Sequence, residues 1–138
     1  MDDLPAWVAQ YVGVPFLDHG RDPQGWDCYG VVHYVLRTHF GIEIPSYAEA
    51  YHTTTDRDEI AALLRDEIRT PWRPVNLAEA RPGDALVFRI EGAVGHVALL
   101  IAPGRFLHVD RQIATVIDRL DHPRWTRRLC GVYRYGTD

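Results

Sequence analysis

The stretch from Asp27 to Gly41 constrains the fold of this chain most, because it carries a complete helix signature. Asp27 is a favourable N-cap residue, and Gly41 follows the last apolar position as a C-terminal glycine does. Between them, apolar residues recur at helical spacing, at Val31, Val32, Val35, Leu36 and Phe40. We therefore predict a helix that begins at Cys28 and buries one face.

Cys28 falls in the first turn of this helix. Unpaired backbone N–H groups and the positive end of the helix dipole favour an anion there. A thiolate is such an anion, so the position predicts a lowered pKa and a nucleophilic cysteine, provided that a base lies nearby. A buried structural cysteine is the alternative, since free cysteines are among the most buried residues. The position of Cys28 alone fits both.

The length and composition of the chain indicate one domain over residues 1–138. Its 138 residues, 46% of them hydrophobic, suit a single core. The net charge of −4 argues against a general nucleic-acid-binding protein. No apolar run approaches membrane-spanning length, and no basic-then-apolar segment follows Met1, so we expect neither a membrane partner nor a signal peptide. Two cysteines do not predict a disulfide framework.

Helical patterns precede strand patterns along the chain. A short amphipathic helix is predicted from Leu4 to Tyr11, and a further helix from about Asp56 to Ile68. The predicted strands are Ala85–Ile90, Val94–Ala102, Arg105–Val109, Ala114–Ile117 and Leu129–Tyr135. This order predicts an α+β domain, in which the Cys28 helix packs on an antiparallel sheet of about five strands.

Two histidines interrupt neighbouring apolar strands. His96 shares a strand face with Ala98, and His108 follows across the Pro103-Gly104 turn. If Ala98 pairs with His108, the two histidines lie on one face, roughly 7 Å apart at the backbone. A strict two-residue turn would put them on opposite faces. Two histidines in this relation, beside a helix that begins with cysteine, favour a functional site.

The chemistry that these three residues support is acyl transfer at an amide. Cys28 would attack the carbonyl carbon, His96 would take the thiol proton and return one to the leaving amine, and His108 would orient His96. The backbone N–H of Cys28 would stabilise the oxyanion. Zinc bound by the same residues is an alternative. No Cys-x-x-Cys or His-x-x-x-His pair supports a metal, so we expect no metal and no cofactor.

Three blocks of sequence resemble the NlpC-type cell-wall cysteine peptidases, which have a papain-like core. They are Gly25–Val32 around Cys28, Arg81–Phe88 with its Pro-Gly-Asp, and Gly95–Val97 together with Phe106–His108. The resemblance implies N-terminal helices with a central Cys-bearing helix on an antiparallel sheet. It assigns Cys28, His96 and His108 as nucleophile, base and orienting residue, and an amide of peptidoglycan stem peptides as the bond hydrolysed.

Other segments resemble the phage-tail and gene-transfer-agent branch of this family, among them Val14-Pro15-Phe16, Gly41–Tyr47 and the stretch from Pro123 to Tyr135. This resemblance implies a protein without a signal peptide that is assembled in the host cytoplasm into a phage-like tail, with tail proteins as partners. A structural tail-tip or assembly protein, whose papain-like domain does not turn over substrate, is the alternative. Acyl transfer to an amine through the same thioester is a further one.

The resemblance also implies substrate contacts at Asp27, Tyr29, Phe16 and Trp26. Asp27 is expected to bind the stem-peptide amine, although an N-cap role explains it equally well. Trp26 and Tyr29 are expected to line the groove or to pack as ordinary core aromatics. Phe16 stands where many exported members have tyrosine, and Tyr29 stands where they have serine, so the substrate contacts of this chain are expected to differ from theirs.

Overall fold

The central helix forms as its sequence predicts. In the computed structural model, which describes residues 4–51, 71–90 and 93–136, helix α1 spans Cys28–Phe40. The Asp27 side chain accepts the backbone N–H of Gly30 at 3.0 Å, which caps the first turn. Gly41 ends the helix in the left-handed conformation at φ 67°, which glycine adopts without a steric penalty. The N-cap at Asp27 makes Cys28 the first residue of the helix.

The strands form a mainly antiparallel arrangement, which confirms the α+β class. They are β1 (Arg21–Asp22), β2 (Gly25–Trp26), β3 (Trp72–Val75), β4 (Ala85–Ile90), β5 (Ala93–Ala102), β6 (Arg105–Val109), β7 (Thr115–Arg119) and β8 (Leu129–Tyr135). The last six make one antiparallel sheet in the order β3-β8-β4-β5-β6-β7, while β1 and β2 pair separately.

The sheet therefore has six strands, where the sequence predicted about five. The additional strand is β3, which lies at the edge of the sheet and so tolerates Pro74 within it. The N-terminal helix is a 3-10 helix over Ala6–Tyr11, and the other short helices are a 3-10 turn at Leu77–Glu79 and α2 at Pro123–Thr126. The helix predicted over 56–68 lies outside the described residues. No helix in the described ranges is long and apolar enough to cross a membrane.

A β-bulge in β5 determines which way the two histidines point. Ala102 pairs with Arg105 across the Pro103-Gly104 turn, a register that would put His96 and His108 on opposite faces. The register shifts by one residue between Leu100 and Ala102, so that Leu100 pairs with Phe106. Continued along the strands, this register sets Ala98 opposite His108. The two histidines therefore share one face of the sheet, as the sequence analysis required for a site.

Each face of the sheet carries its own apolar cluster. Helix α1 packs on the face that carries Val87, Val97, Leu99 and Leu107. The opposite face carries a second cluster around Trp125 of α2, formed by Leu86, Phe88, Ala98, Leu100, Phe106 and Val132. The sheet is thus buried on both sides near β5, where the candidate site lies.

The Pro-Gly-Asp segment at the start of β4 has a structural role. The buried carboxylate of Asp84 accepts the backbone N–H of Arg81 at 2.9 Å and pairs with the Arg134 guanidinium at 2.7 and 2.8 Å. Because Arg134 lies on β8, this ion pair holds the start of β4 against its neighbour. Removing one partner of a buried ion pair typically costs about 3–5 kcal/mol. The segment contributes stability rather than chemistry.

Candidate active site

Cys28 lies buried at the start of α1, with 5% of its surface exposed. Burial, and secondarily the Asp27 carboxylate, raise the pKa of its thiol to about 12, and the backbone N–H of Val97 offsets part of that rise. This differs from the lowered pKa that the helix position predicted. Desolvation outweighs the helix terminus, so the resting residue is a thiol that needs a base to become a nucleophile.

His96 and His108 make direct contact. The Nε2 of His96 lies 2.9 Å from the Nδ1 of His108, and the Nε2 of His108 lies 2.7 Å from an Asp118 carboxylate oxygen. The hydrogen bond from His108 lowers the pKa of Asp118, which is therefore ionised at neutral pH and accepts a proton-bearing Nε2. With that proton on Nε2, the Nδ1 of His108 accepts from the Nε2–H of His96. This chain of bonds assigns the Nδ1 of His96 as its basic nitrogen.

Aromatic rings enclose the histidine pair. Trp125 of α2 lies 5.0 Å from the His108 ring and 6.1 Å from the His96 ring, measured between centroids. Phe106 lies 5.0 Å from His108 on its own strand, and His108 is only 1% exposed. Keeping water away strengthens a hydrogen bond between polar groups. The rings therefore hold the pair in one orientation.

The Cys28 sulfur and His96 meet at the same point of β5. The backbone N–H of Val97, the residue after His96, hydrogen-bonds to the Cys28 sulfur. Val97 faces α1, while His96 shares the opposite face with its cross-strand partner Phe88. The sulfur and the imidazole thus approach the His96–Val97 segment from its two sides. The structure brings the two histidines into contact and sets the cysteine beside that segment.

A pocket of about 380 Å³ opens beside the histidines. Its lining includes His96, His108 and Trp125, and the charged residues Asp110, Arg111, Arg124 and Arg128. The Arg111 guanidinium lies 4.1 Å from the centre of the Phe16 ring. Phe16 therefore lies next to the pocket, in contact with Arg111, which is one of its lining residues.

The other predicted substrate contacts lie around the start of α1. Trp26 is fully buried, and its Nε1 donates to the Thr115 hydroxyl at 2.7 Å, so it packs as a core residue. Tyr29 is buried, and its hydroxyl has no hydrogen-bond partner in the described parts of the chain. Asp27 is 0% exposed, and its carboxylate accepts hydrogen bonds from the backbone N–H groups of His19 and Gly30 and from the Arg21 guanidinium.

Sequence reasoning missed several residues of the site. Asp118 completes the histidine chain from β7, and Arg21, His19 and Tyr51 surround Asp27. Asp118 carried a weak signal, since it is a charged residue on a strand that follows the His108 strand. Arg21 lies in the two-residue strand β1, Tyr51 lies in an irregular segment, and neither carried a sequence signal. Among the described residues, no group of three His, Cys, Asp or Glu side chains is arranged to hold a metal ion.

A cysteine at the start of a helix that packs on an antiparallel sheet, with two histidines on adjacent strands of that sheet, defines a papain-like fold. The model of the NlpC/P60 family matches residues 13–134, and the chain belongs to this family. The NlpC/P60 domain of the peptidoglycan hydrolase SagA superposes with a TM-score of 0.58 at 23% identity, covering 92% of this chain and 94% of that domain. The papain-like core that the sequence analysis predicted is confirmed.

Several curated relatives are hydrolytic enzymes by name, and some of them are named for murein. The chain is 30% identical over 135 residues to murein DD-endopeptidase MepH of Escherichia coli, covering 94% of this chain and 44% of the relative. It is 26% identical over 120 residues to the murein DD-endopeptidase/LD-carboxypeptidase MepS of the same species, covering 87% and 55%. It is 28% identical over 138 residues to a γ-D-glutamyl-L-lysine dipeptidyl-peptidase of Bacillus cereus, covering 97% and 36%. The chain spans about half the length of these relatives or less.

Proposed function

We propose that this chain is a cysteine peptidase that hydrolyses an amide bond in peptidoglycan stem peptides. The observation that carries the proposal is the hydrogen-bonded chain from His96 through His108 to Asp118, which begins at the residue before Val97, whose backbone N–H bonds to the Cys28 sulfur. The NlpC/P60 membership and the names of the murein endopeptidase relatives support the substrate class.

The proposed reaction begins with proton transfer from the Cys28 thiol to the Nδ1 of His96, which requires the imidazole to reach the sulfur past the His96–Val97 backbone that lies between them. The sulfur then forms a bond to the amide carbonyl carbon, and the Cys28 backbone N–H stabilises the oxyanion. The His96 imidazolium gives its proton to the leaving nitrogen as the C–N bond breaks, which leaves a thioester. Water, activated by the same imidazole, hydrolyses the thioester and regenerates the thiol.

Asp118 has a positioning role in this scheme. Its carboxylate is 39% exposed, so its charge is partly screened by solvent, but its bond to His108 fixes the tautomers of both histidines. It also stabilises the imidazolium that forms when His96 takes the thiol proton. Asp118 thereby acts on the reaction through His108, without touching substrate.

Asp118→Asn is expected to lower kcat by about 10- to 100-fold. The asparagine side chain carries no negative charge, so it no longer favours the His108 tautomer that has its proton on Nε2. The acid limb of the pH–rate profile is expected to move to lower pH, since losing a negative charge disfavours the imidazolium. Asp121→Asn is the matched control, because Asp121 is exposed and pairs only with Arg119 among the contacts described. A fall in kcat with an unmoved acid limb would contradict the positioning role and leave a merely structural one.

The experiment that tests the proposed function is digestion of purified muropeptides followed by mass analysis. The expected products are two fragments whose summed mass exceeds that of the parent by one water, and their masses identify the amide that is cut. Products that gain an added amine instead of water would indicate acyl transfer. Muropeptides that stay intact under prolonged incubation would contradict an enzymatic role.

We further propose that the chain, as a single NlpC-type domain over residues 1–138, acts within a phage-like tail. Support comes from the sequence alone: Val14-Pro15-Phe16 and Gly41–Tyr47 are similar to the phage-tail and gene-transfer-agent branch. In this proposal the partners are tail proteins, and assembly takes place in the host cytoplasm. A tail-tip protein without turnover is the competing function, and the muropeptide digestion separates the two.

A further inference from the structure

The carboxylate beside the candidate nucleophile has no acceptor position left for a substrate. One oxygen of Asp27 accepts the Gly30 N–H at 3.0 Å and the Arg21 guanidinium at 2.8 Å. The other accepts the His19 N–H at 2.9 Å and the Tyr51 hydroxyl. A carboxylate offers about four lone-pair positions, and these four donors fill them.

Arg21 also neutralises the charge of Asp27, and it is itself held in place. Its Nε donates to the Ser46 carbonyl at 2.8 Å, its Nη1 to the Gly20 carbonyl at 2.8 Å, and its Nη2 to the Tyr51 hydroxyl at 2.7 Å. The ion pair is largely buried, with 15% of the Arg21 side chain and 0% of the Asp27 side chain exposed. A second cation could reach Asp27 only by breaking a network that joins three segments of the chain.

The surroundings of Asp27 present neutral or cationic groups. The ring of Tyr29 lies 5.3 Å from that of Tyr51, which bonds to Asp27, and Tyr29 holds a buried hydroxyl without a partner among the described residues. The pocket beside His96 and His108 is lined by three arginines and by Asp110, whose carboxylate accepts two backbone N–H groups of its own turn. A substrate ammonium at Asp27 would compete with Arg21 for a carboxylate that is already paired, and burying a charge without a partner costs several kcal/mol.

We propose that this site takes stem peptides whose N-terminus is acylated, as in peptides still attached to glycan, and that Asp27 is not a receptor for a free N-terminal amine. Asp27 is then a positioning residue that caps α1 and fixes the Arg21 and Tyr51 segments around Cys28. This inference rests on the proposed function, and it makes the chain an endopeptidase rather than a dipeptidyl-peptidase. It differs from the amine-binding role that the family resemblance implied for Asp27.

Two stem tetrapeptides that differ only in an N-terminal acetyl group test the inference. The acetylated peptide is expected to be cleaved with a kcat/KM equal to or above that of the free-amine peptide. A tenfold or greater preference for the free amine would overturn the inference while leaving the peptidase function intact. Calorimetric binding of the same peptides to the Cys28→Ala protein decides the matter without turnover. Tighter binding of the free amine by tenfold, or no binding of the acetylated peptide, overturns it.

A double variant that removes both charges of the ion pair tests whether Asp27 positions neighbouring segments or binds the substrate amine. Asp27→Asn combined with Arg21→Gln removes both charges, so neither is left buried and unpaired. We expect kcat/KM to fall by the same factor for both peptides, with their ratio kept within about threefold. A loss confined to the free-amine peptide would identify Asp27 as its receptor. Circular dichroism and the binding of acetylated peptide to the variant show that the fold is retained.

Discussion

Cys28→Ala is expected to abolish the release of fragments from muropeptides, with a fall in rate on the order of 10³-fold or more, because no other group supplies the nucleophile. The fold is expected to survive. Alanine retains the Cβ, favours the helix interior and removes one sulfur atom from a site at the start of α1, which costs on the order of 1 kcal/mol. The measurement is product formation by mass analysis, with thermal unfolding of parent and variant recorded in parallel.

Cys130→Ala is the matched control for this variant. Cys130 is the other cysteine of the chain, it is exposed on β8, and its thiol makes only a weak 3.7 Å contact with the Arg128 carbonyl. Its replacement is expected to leave the rate unchanged. Equal product release by the parent and the Cys28→Ala protein would remove the enzymatic function, and a papain-like binding domain would then be the better description.

The parts of this fold that the sequence predicted are those determined locally. The caps at Asp27 and Gly41 and the apolar spacing between them fix α1 through contacts within a few residues. The strands β4, β6 and β8 likewise follow from runs of apolar residues between turn signals. Strand β3 escaped prediction because its proline is tolerated only at a sheet edge, and edge position is a property of the assembled sheet.

The sequence predicted the contact between the two histidines only on the condition that β5 and β6 pair in one particular register. The sequence showed that His96 and His108 meet if the register is shifted by one residue, but the bulge between Leu100 and Ala102 that shifts it has no distinct sequence signal. The pKa of Cys28 is raised, where the sequence predicted that it would be lowered, and the reason is related. The helix start is a local feature and favours a thiolate, whereas burial depends on the packed structure and dominates.

The network around Asp27 shows the same division between local and distant effects. Its N-cap bond to Gly30 follows from the sequence, because capping acts within one turn. The Arg21 and Tyr51 contacts come from segments that precede and follow α1 in the chain, and only the folded chain brings them to the carboxylate. For this reason the sequence analysis named the N-cap and a substrate amine as partners of Asp27 but not Arg21 or Tyr51.

His96→Gln is expected to lower kcat by about 10²- to 10⁴-fold at neutral pH, the usual cost of removing a general base. Glutamine matches histidine in length, and its amide can still donate to the Nδ1 of His108, so the variant removes the base and keeps the hydrogen bond. His39→Gln is the matched control, since His39 lies near the opposite end of α1, where it bonds to the Tyr11 hydroxyl. That control is expected to retain the parental rate.

The pH dependence of the His96→Gln protein tests the thiol state directly. Burial raises the pKa of Cys28 to about 12, so without its base the thiol ionises only as pH approaches that value. Below the pKa, each pH unit multiplies the thiolate fraction by about ten. The residual rate is therefore expected to rise about tenfold for each pH unit between about pH 7 and 10. A residual rate that stays flat over this range would mean that Cys28 is already a thiolate without His96, and the proposed proton transfer would then be wrong.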